Sequence, residues 1–139
     1  MMKKSAFLLV ALISIAGCTT TPIPTNKAVD VPSERVFNKA LLNDGADRGT
    51  VIVKRDSGHV GNACYSIVYM DGKEIAYLDP GEKFEFYPPV GDHILGAQPK
   101  GMCGGSTSEL SITVRHGEKH TFRVGYDSGV IFRLSPTAF

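Results

Sequence analysis

The dipeptide Asp71-Gly72 lies between two alternating runs, Cys64–Met70 and Lys73–Leu78. A two-residue hairpin loop whose twist matches its strands needs positive φ at both central positions, and Asp-Gly supplies this at low cost. The dipeptide predicts an antiparallel hairpin, and the rest of the chain must then offer β structure that packs against it. The same grammar recurs on both sides. Thr50–Arg55 is β-branched and strand-like. Pro80-Gly81 reads as a type II turn, and beyond it Phe84 and Phe86 alternate with Glu85. The stretch Pro88-Pro89-Val90-Gly91-Asp92 leads into His93–Ala97. Leu110, Ile112 and Val114 alternate with Ser111 and Thr113; after Gly117, Phe122, Val124 and Tyr126 alternate with Thr121 and Arg123. Ser128-Gly129 turns the chain into Val130–Leu134. Turn residues recurring about every ten positions predict an all-β fold of about seven or eight strands over 49–139, a small antiparallel β-sandwich in preference to a small barrel. Clean alternation further predicts one wet sheet face.

The first residues follow a different logic. Lys3 and Lys4 precede the apolar run Ala6–Ile13, and small residues follow. This is the layout of an export signal over 1–17, and the run is too short to span a bilayer, which takes about 20 apolar residues. Ile15-Ala16-Gly17-Cys18 resembles the lipobox of bacterial lipoproteins. The resemblance implies cleavage before Cys18, a diacylglyceryl group on its thiol and an acylated amine, with each buried CH₂ contributing about 0.8 kcal/mol. The partner this implies is a membrane, held through the N-terminal lipid. Thr19 stands where an Asp would mark inner-membrane retention, which implies the outer membrane and, by default, its periplasmic face. Residues 18–31, with Pro22 and Pro24, read as a flexible Pro/Thr-rich tether reaching about 40 Å at about 3.1 Å per residue. Residues 32–48 read as a short lead-in with one helical turn. Ser33 is its expected N-cap, and Val36, Phe37, Ala40 and Leu41 form its apolar face.

Charge and sulfur narrow the function. Without Lys3 and Lys4 the chain carries 13 basic and 14 acidic residues, which argues against nucleic acid as a partner. With Cys18 assigned to lipid, Cys64 and Cys103 remain, and an exported domain would pair them as a disulfide.

A second resemblance rests on Ser66–Ile75, with its Asp71-Gly72 turn, and on Phe86–Ile94, with Pro88, Pro89, Gly91 and His93. Together these are similar to the core of PEGA-like β-sandwich domains, which pair a strand–Asp-Gly–strand hairpin with a proline–glycine–x–histidine turn. The chain departs from that pattern by inserting Val90 and by adding the cysteine pair. The resemblance covers about a third of the chain; it implies the sandwich and an envelope role, and supplies no catalytic residues.

The remaining constellations are weak for chemistry. Gly101, Met102, Gly104 and Gly105 surround Cys103 in a glycine-rich loop lacking the Lys of a phosphate-binding loop. It reads as a disulfide-pinned loop whose glycines permit positive φ, or as an exposed recognition loop. His116 and His120 flank a turn but make an incomplete metal set. Asp71, Glu74, Asp79 and Glu82 sit around turns, so no metal, cofactor or catalytic assignment is made. Tyr65, Tyr69 and Tyr77 alternate on strands and suit either a stacking face or the rim of the core. Phe139 reads as a C-terminal packing residue. The expected function is a non-enzymatic, lipid-anchored interaction module of the bacterial cell envelope, meeting an envelope protein or glycan. The alternatives are an inhibitor, for example of lysozyme, acting through the 101–107 loop, and a small-ligand or glycan binder using the tyrosines. In cells fed labelled palmitate the chain should incorporate label and Cys18→Ser should abolish it; label persisting in the variant contradicts the lipobox reading.

Overall fold

The alternating runs assemble into two stacked sheets. The computed structural model describes residues 20–127 and 131–139; the signal segment, Cys18 and the Ser128-Gly129 turn lie outside the described residues. Nine strands are present among the described residues: β1 Val29–Asp30, β2 Thr50–Arg55, β3 Ser66–Met70, β4 Lys73–Leu78, β5 Glu82–Phe86, β6 Gly91–Pro99, β7 Ser108–Val114, β8 Lys119–Asp127 and β9 Ile131–Pro136. The larger sheet has the order β1-β5-β2-β8-β9 and the smaller β4-β3-β6-β7. The chain alternates between them, laying β3–β4 and β6–β7 as hairpins of the smaller sheet. The result is the expected β-sandwich.

Between the sheets, alternate residues interdigitate. Val51, Val53, Phe84, Phe86, Phe122 and Val124 meet Val68, Leu78, Leu95, Ala97 and Val114 in one buried cluster. Phe84 and Phe86, one pleat apart, stack with ring centroids 4.8 Å apart. Burying each such side chain contributes about 1.5–3 kcal/mol.

Four sequence expectations need correction. The sheets are antiparallel-rich rather than purely antiparallel: β2 pairs with β8, and β1 with β5, in parallel. β8 crosses over from the other sheet and enters beside β2 from the same end, so parallel pairing follows from the connection. Second, β3 starts at Ser66 rather than Cys64, because the Cys64 carbonyl turns inward to accept from the buried Arg55 guanidinium at 2.6 Å. Third, the lead-in is two 3₁₀ turns, Ser33–Arg35 and Lys39–Leu42, and no side chain caps the first. Val36 and Leu41 are buried while Phe37 and Ala40 are exposed, so the four do not share one face.

The fourth correction concerns the tether. Residues 20–31 run as a strap over the outside of the larger sheet. Thr21 bridges to Ser57, Ile23 offers its carbonyl to Lys54 at 2.8 Å, and Val29–Asp30 joins β5. Pro22 and Pro24 keep the strap extended at little entropic cost. With Phe139, whose carbonyl also accepts from Lys54 and whose ring lies 5.0 Å from its ammonium, the strap covers this face. Every residue from Val51 to Asp56 is therefore buried, and the expected wet face is dry at β2. Burial lowers the Lys54 pKa.

At the opposite end from the strap's first residues, Asp71 and Gly72 take φ of 50° and 78°, as the hairpin requires. The Asp71 carboxylate accepts from the Ile94 N–H at 2.9 Å and lies 2.7 Å from His93 Nδ1, while His93 Nε2 lies 2.8 Å from the Pro89 carbonyl. Both neighbours of the ring are acceptors, so the doubly protonated imidazolium satisfies both. Burial opposes that charge, but the bonds to Asp71 and Pro89 and the Asp71 and Asp92 charges outweigh it and raise the His93 pKa above 6.5. For Asp71, burial is likewise outweighed by the bonds from His93 and Ile94 and by the charges of His93 and Lys73, leaving its pKa below 3.8. The clasp is therefore fully formed between those two ordinary values. It is lost as pH falls through the folded Asp71 value or rises through the folded His93 value. The urea midpoint should drop between pH 6 and pH 8.5 by more in the wild type than in His93→Gln; equal drops would contradict the clasp.

Candidate functional site

β3 sends Val68 and Met70 into the core, so the pleat turns Ile67 and Tyr69 to the outer face of the smaller sheet. The register sets Ile67 beside Tyr77 and Gln98, and Tyr69 beside Glu74 and Gly96. The Tyr65 and Tyr77 rings stack with centroids 6.0 Å apart, and Phe37 meets Tyr77 edge-on at 4.6 Å. Aromatic neighbours thus surround Ile67, which is only 6% exposed although it points away from the core. Such pairs contribute about 0.5–1.5 kcal/mol each beyond area.

Two cations sit on this face. The Arg35 guanidinium lies 5.0 Å from the Tyr65 ring centre and Lys100 Nζ 4.3 Å from that of Tyr77. Arg35 also donates to both Glu82 carboxylate oxygens, at 2.7 and 2.6 Å, and to the Tyr77 carbonyl at 3.1 Å. The Glu82 hydrogen bond outweighs desolvation and raises the Arg35 pKa. This fork fixes the lead-in against β4, where the Phe37 N–H donates to the Ile75 carbonyl at 2.9 Å and covers a sheet edge that would otherwise be open to pairing. The Tyr77 hydroxyl donates to Glu74 at 2.5 Å and accepts from Lys100 at 3.2 Å. Burial first, then the Glu74 and Tyr77 charges, raise the Tyr69 pKa. A shallow depression lined by Asp71, Gly72, Ile94, Glu109, Leu110 and Ser111 continues the face toward β7. The arrangement is an aromatic platform whose rings carry cations on their faces, and the Arg35 charge is already matched by Glu82.

The sequence singled out Tyr65, Tyr69 and Tyr77, and the structure brings them onto one face. Phe37, Arg35, Lys100 and Ile67 belong with them and were missed. Their only signal was local: Phe37 and Arg35 lay in a segment read as helical, and Lys100 stood outside any run.

The second set, Gly101, Met102, Gly104 and Gly105, lies in the loop between β6 and β7. Cys64 and Cys103 form the expected disulfide, with Cα atoms 6.1 Å apart. The bond ties this loop to the one after β2. Tyr126 donates its hydroxyl to the Gly104 carbonyl at 3.0 Å, and Gly101 and Gly105 adopt φ of 78° and 137°. Arg55 is buried and donates to the carbonyls of Gly61, Cys64 and Leu78 at 2.6–2.7 Å. Burial lowers its pKa. Met102 is the loop's large apolar side chain and is fully exposed. The Lys100 N–H donates to the Tyr65 carbonyl at 2.8 Å, so the loop begins at the rim of the platform.

Elsewhere, His120 Nε2 lies 3.3 Å from Glu118, and among the described residues no group of three or more His, Cys, Asp or Glu side chains is placed to hold a metal ion. No helix among the described residues is long and apolar enough to cross a membrane. Comparison with known protein families, curated proteins and solved structures gives no match.

Proposed function

We propose that the chain is a non-enzymatic, lipid-anchored binding module of the bacterial envelope, and that its aromatic platform engages an envelope protein at the periplasmic face of the outer membrane. The observation that carries this reading is the cluster of Phe37, Tyr65 and Tyr77 with Arg35 and Lys100 over the rings, on the same outer face of the smaller sheet to which the register assigns Tyr69. Aromatic residues and arginine are enriched where proteins meet, because they combine large contact area with polar tips. The polar groups of the face are already committed: Tyr77 bridges Glu74 and Lys100, and Arg35 is clamped on Glu82. The nearest histidine–carboxylate pair, His93 with Asp71, has its second ring nitrogen on the Pro89 carbonyl, which leaves no free base. These features favour recognition over catalysis.

The inhibitor reading has one observation of its own, the exposed Met102 on a pinned loop. A pre-ordered plug binds at lower entropic cost.

A photoreactive amino acid in place of Tyr69, in the anchored protein in cells, should give one discrete protein adduct that Tyr77→Ala removes. The same group at Arg133, on the other sheet, should not give it. Identical adducts from both positions, or none from Tyr69, contradict the reading. Lysozyme inhibition by the soluble domain, abolished by Met102→Ala, would replace it with the inhibitor reading. Retention on peptidoglycan lost in Tyr65→Ala would replace it with the glycan reading.

A further inference from the structure

The strap changes what the anchor does. Thr20 is fastened at three points: its hydroxyl donates to the buried Asp56 at 2.9 Å and accepts from the Tyr126 N–H at 2.9 Å, and its own N–H donates to the Tyr126 carbonyl at 3.2 Å. The next residue exchanges both backbone bonds with Ser57, at 2.8 and 2.9 Å. Only two peptide units separate Thr20 from Cys18, a reach of at most about 7 Å. A lipid on Cys18 would therefore hold one end of the sandwich within about a nanometre of the headgroups, where a free tether would have allowed about 40 Å.

The pairing fixes which end this is. β2 and β8 finish here, running in parallel, and Ser66 on β3 lies beside both Leu78 and Pro99. The loop after β2, the Pro80-Gly81 turn and the 100–107 loop therefore share this end, and the disulfide joins two of them. Its carboxylates lie beside arginines: Asp56 beside Arg123, Glu82 and Asp79 sharing Arg35 at 2.6 and 3.8 Å, and Asp127 beside Arg133 at 2.9 Å. Lys100 and His59 are exposed. Met102 projects from this end with its whole side chain in solvent.

We propose that this end is a membrane-seating surface: the domain stands directly on the bilayer, with Met102 entering the headgroup region and the 57–64 and 100–107 loops lying against lipid. The proposal rests on the lipid-anchor reading. The strands then rise from the membrane, β6 and β8 reaching about 30 Å at about 3.3 Å per residue. The aromatic platform faces sideways, toward neighbours in the same leaflet, and the Asp71-Gly72 turn is distal.

The chain contains no Trp, so a single introduced one is an unambiguous reporter. Lipidated full-length protein carrying Met102→Trp, or Val90→Trp at the distal end, is placed in phosphatidylethanolamine–phosphatidylglycerol vesicles with and without brominated acyl chains. Bromolipid should quench the M102W chain, whose Trp would reach the boundary between headgroups and acyl chains, and leave V90W unchanged. Inserting ten Gly/Ser residues before Thr20, a slack of about 17 Å, should cut the M102W quenching at least twofold. Equal quenching in the M102W and V90W chains, or quenching indifferent to the insertion, overturns the seating while vesicle flotation and an acylated N-terminal peptide still uphold the anchor. Absence of that acylated peptide overturns both.

Discussion

A single buried carboxylate organises this molecule. Asp56 is 2% exposed, follows β2 directly, and accepts from Arg123 on β8 through both its oxygens and from the Thr20 hydroxyl. A carboxylate withdrawn from water is tolerated only when its lone pairs are filled. Removing one partner of such a group costs about 3–5 kcal/mol, a large share of a small domain's net stability of about 5–15 kcal/mol. Gly125 on β8 is part of the same device, because a Cβ there would collide with the Asp56 carboxylate and the Thr20 hydroxyl. Asp56 thus secures the parallel β2–β8 pair at the centre of the larger sheet, draws the N-terminal strap onto the outside of that sheet, and orients the end of the sandwich at which Thr20 is fastened.

Much of the fold could be read in advance because turn chemistry is local. Asp71-Gly72 demands its hairpin whatever else the chain does, and the period-two runs around it place Val68, Phe84, Leu95 and Phe122 in the core without knowledge of their partners. The cysteine pairing was legible for a similar reason, since assigning Cys18 to lipid leaves two thiols. Strand direction was not legible. Nothing within Thr50–Arg55 or Lys119–Asp127 says that the two run in parallel; that follows from the route of the chain between sheets.

The strap was illegible for a deeper reason. A proline- and threonine-rich segment has the same composition whether it floats or lies extended on a sheet, and the difference resides in distant residues. Lys54 needs acceptors for a buried ammonium and finds the Ile23 and Phe139 carbonyls; Asp56 needs a third donor and finds Thr20. The candidate site divides along the same line. Tyr65, Tyr69 and Tyr77 could be paired by alternation alone, whereas Phe37 and Arg35 join them only because Glu82, 47 residues beyond Arg35, captures the guanidinium. Under the proposed reading, the strap and the platform would give the envelope module a defined posture, mounted at one end and offering its aromatic face at the side.

Hydrogen exchange of the intact folded protein tests the Asp56 account most directly. The Tyr126 amide, which donates to the Thr20 hydroxyl, and the Thr21 amide, which donates to Ser57, should exchange orders of magnitude more slowly than in an unstructured peptide. In Thr20→Ala, which removes the Asp56 bond, both should lose most of their protection relative to the core amides of β2. Exchange of both amides at free-peptide rates in the wild type would mean that the strap is not held, and would contradict the role given to Asp56.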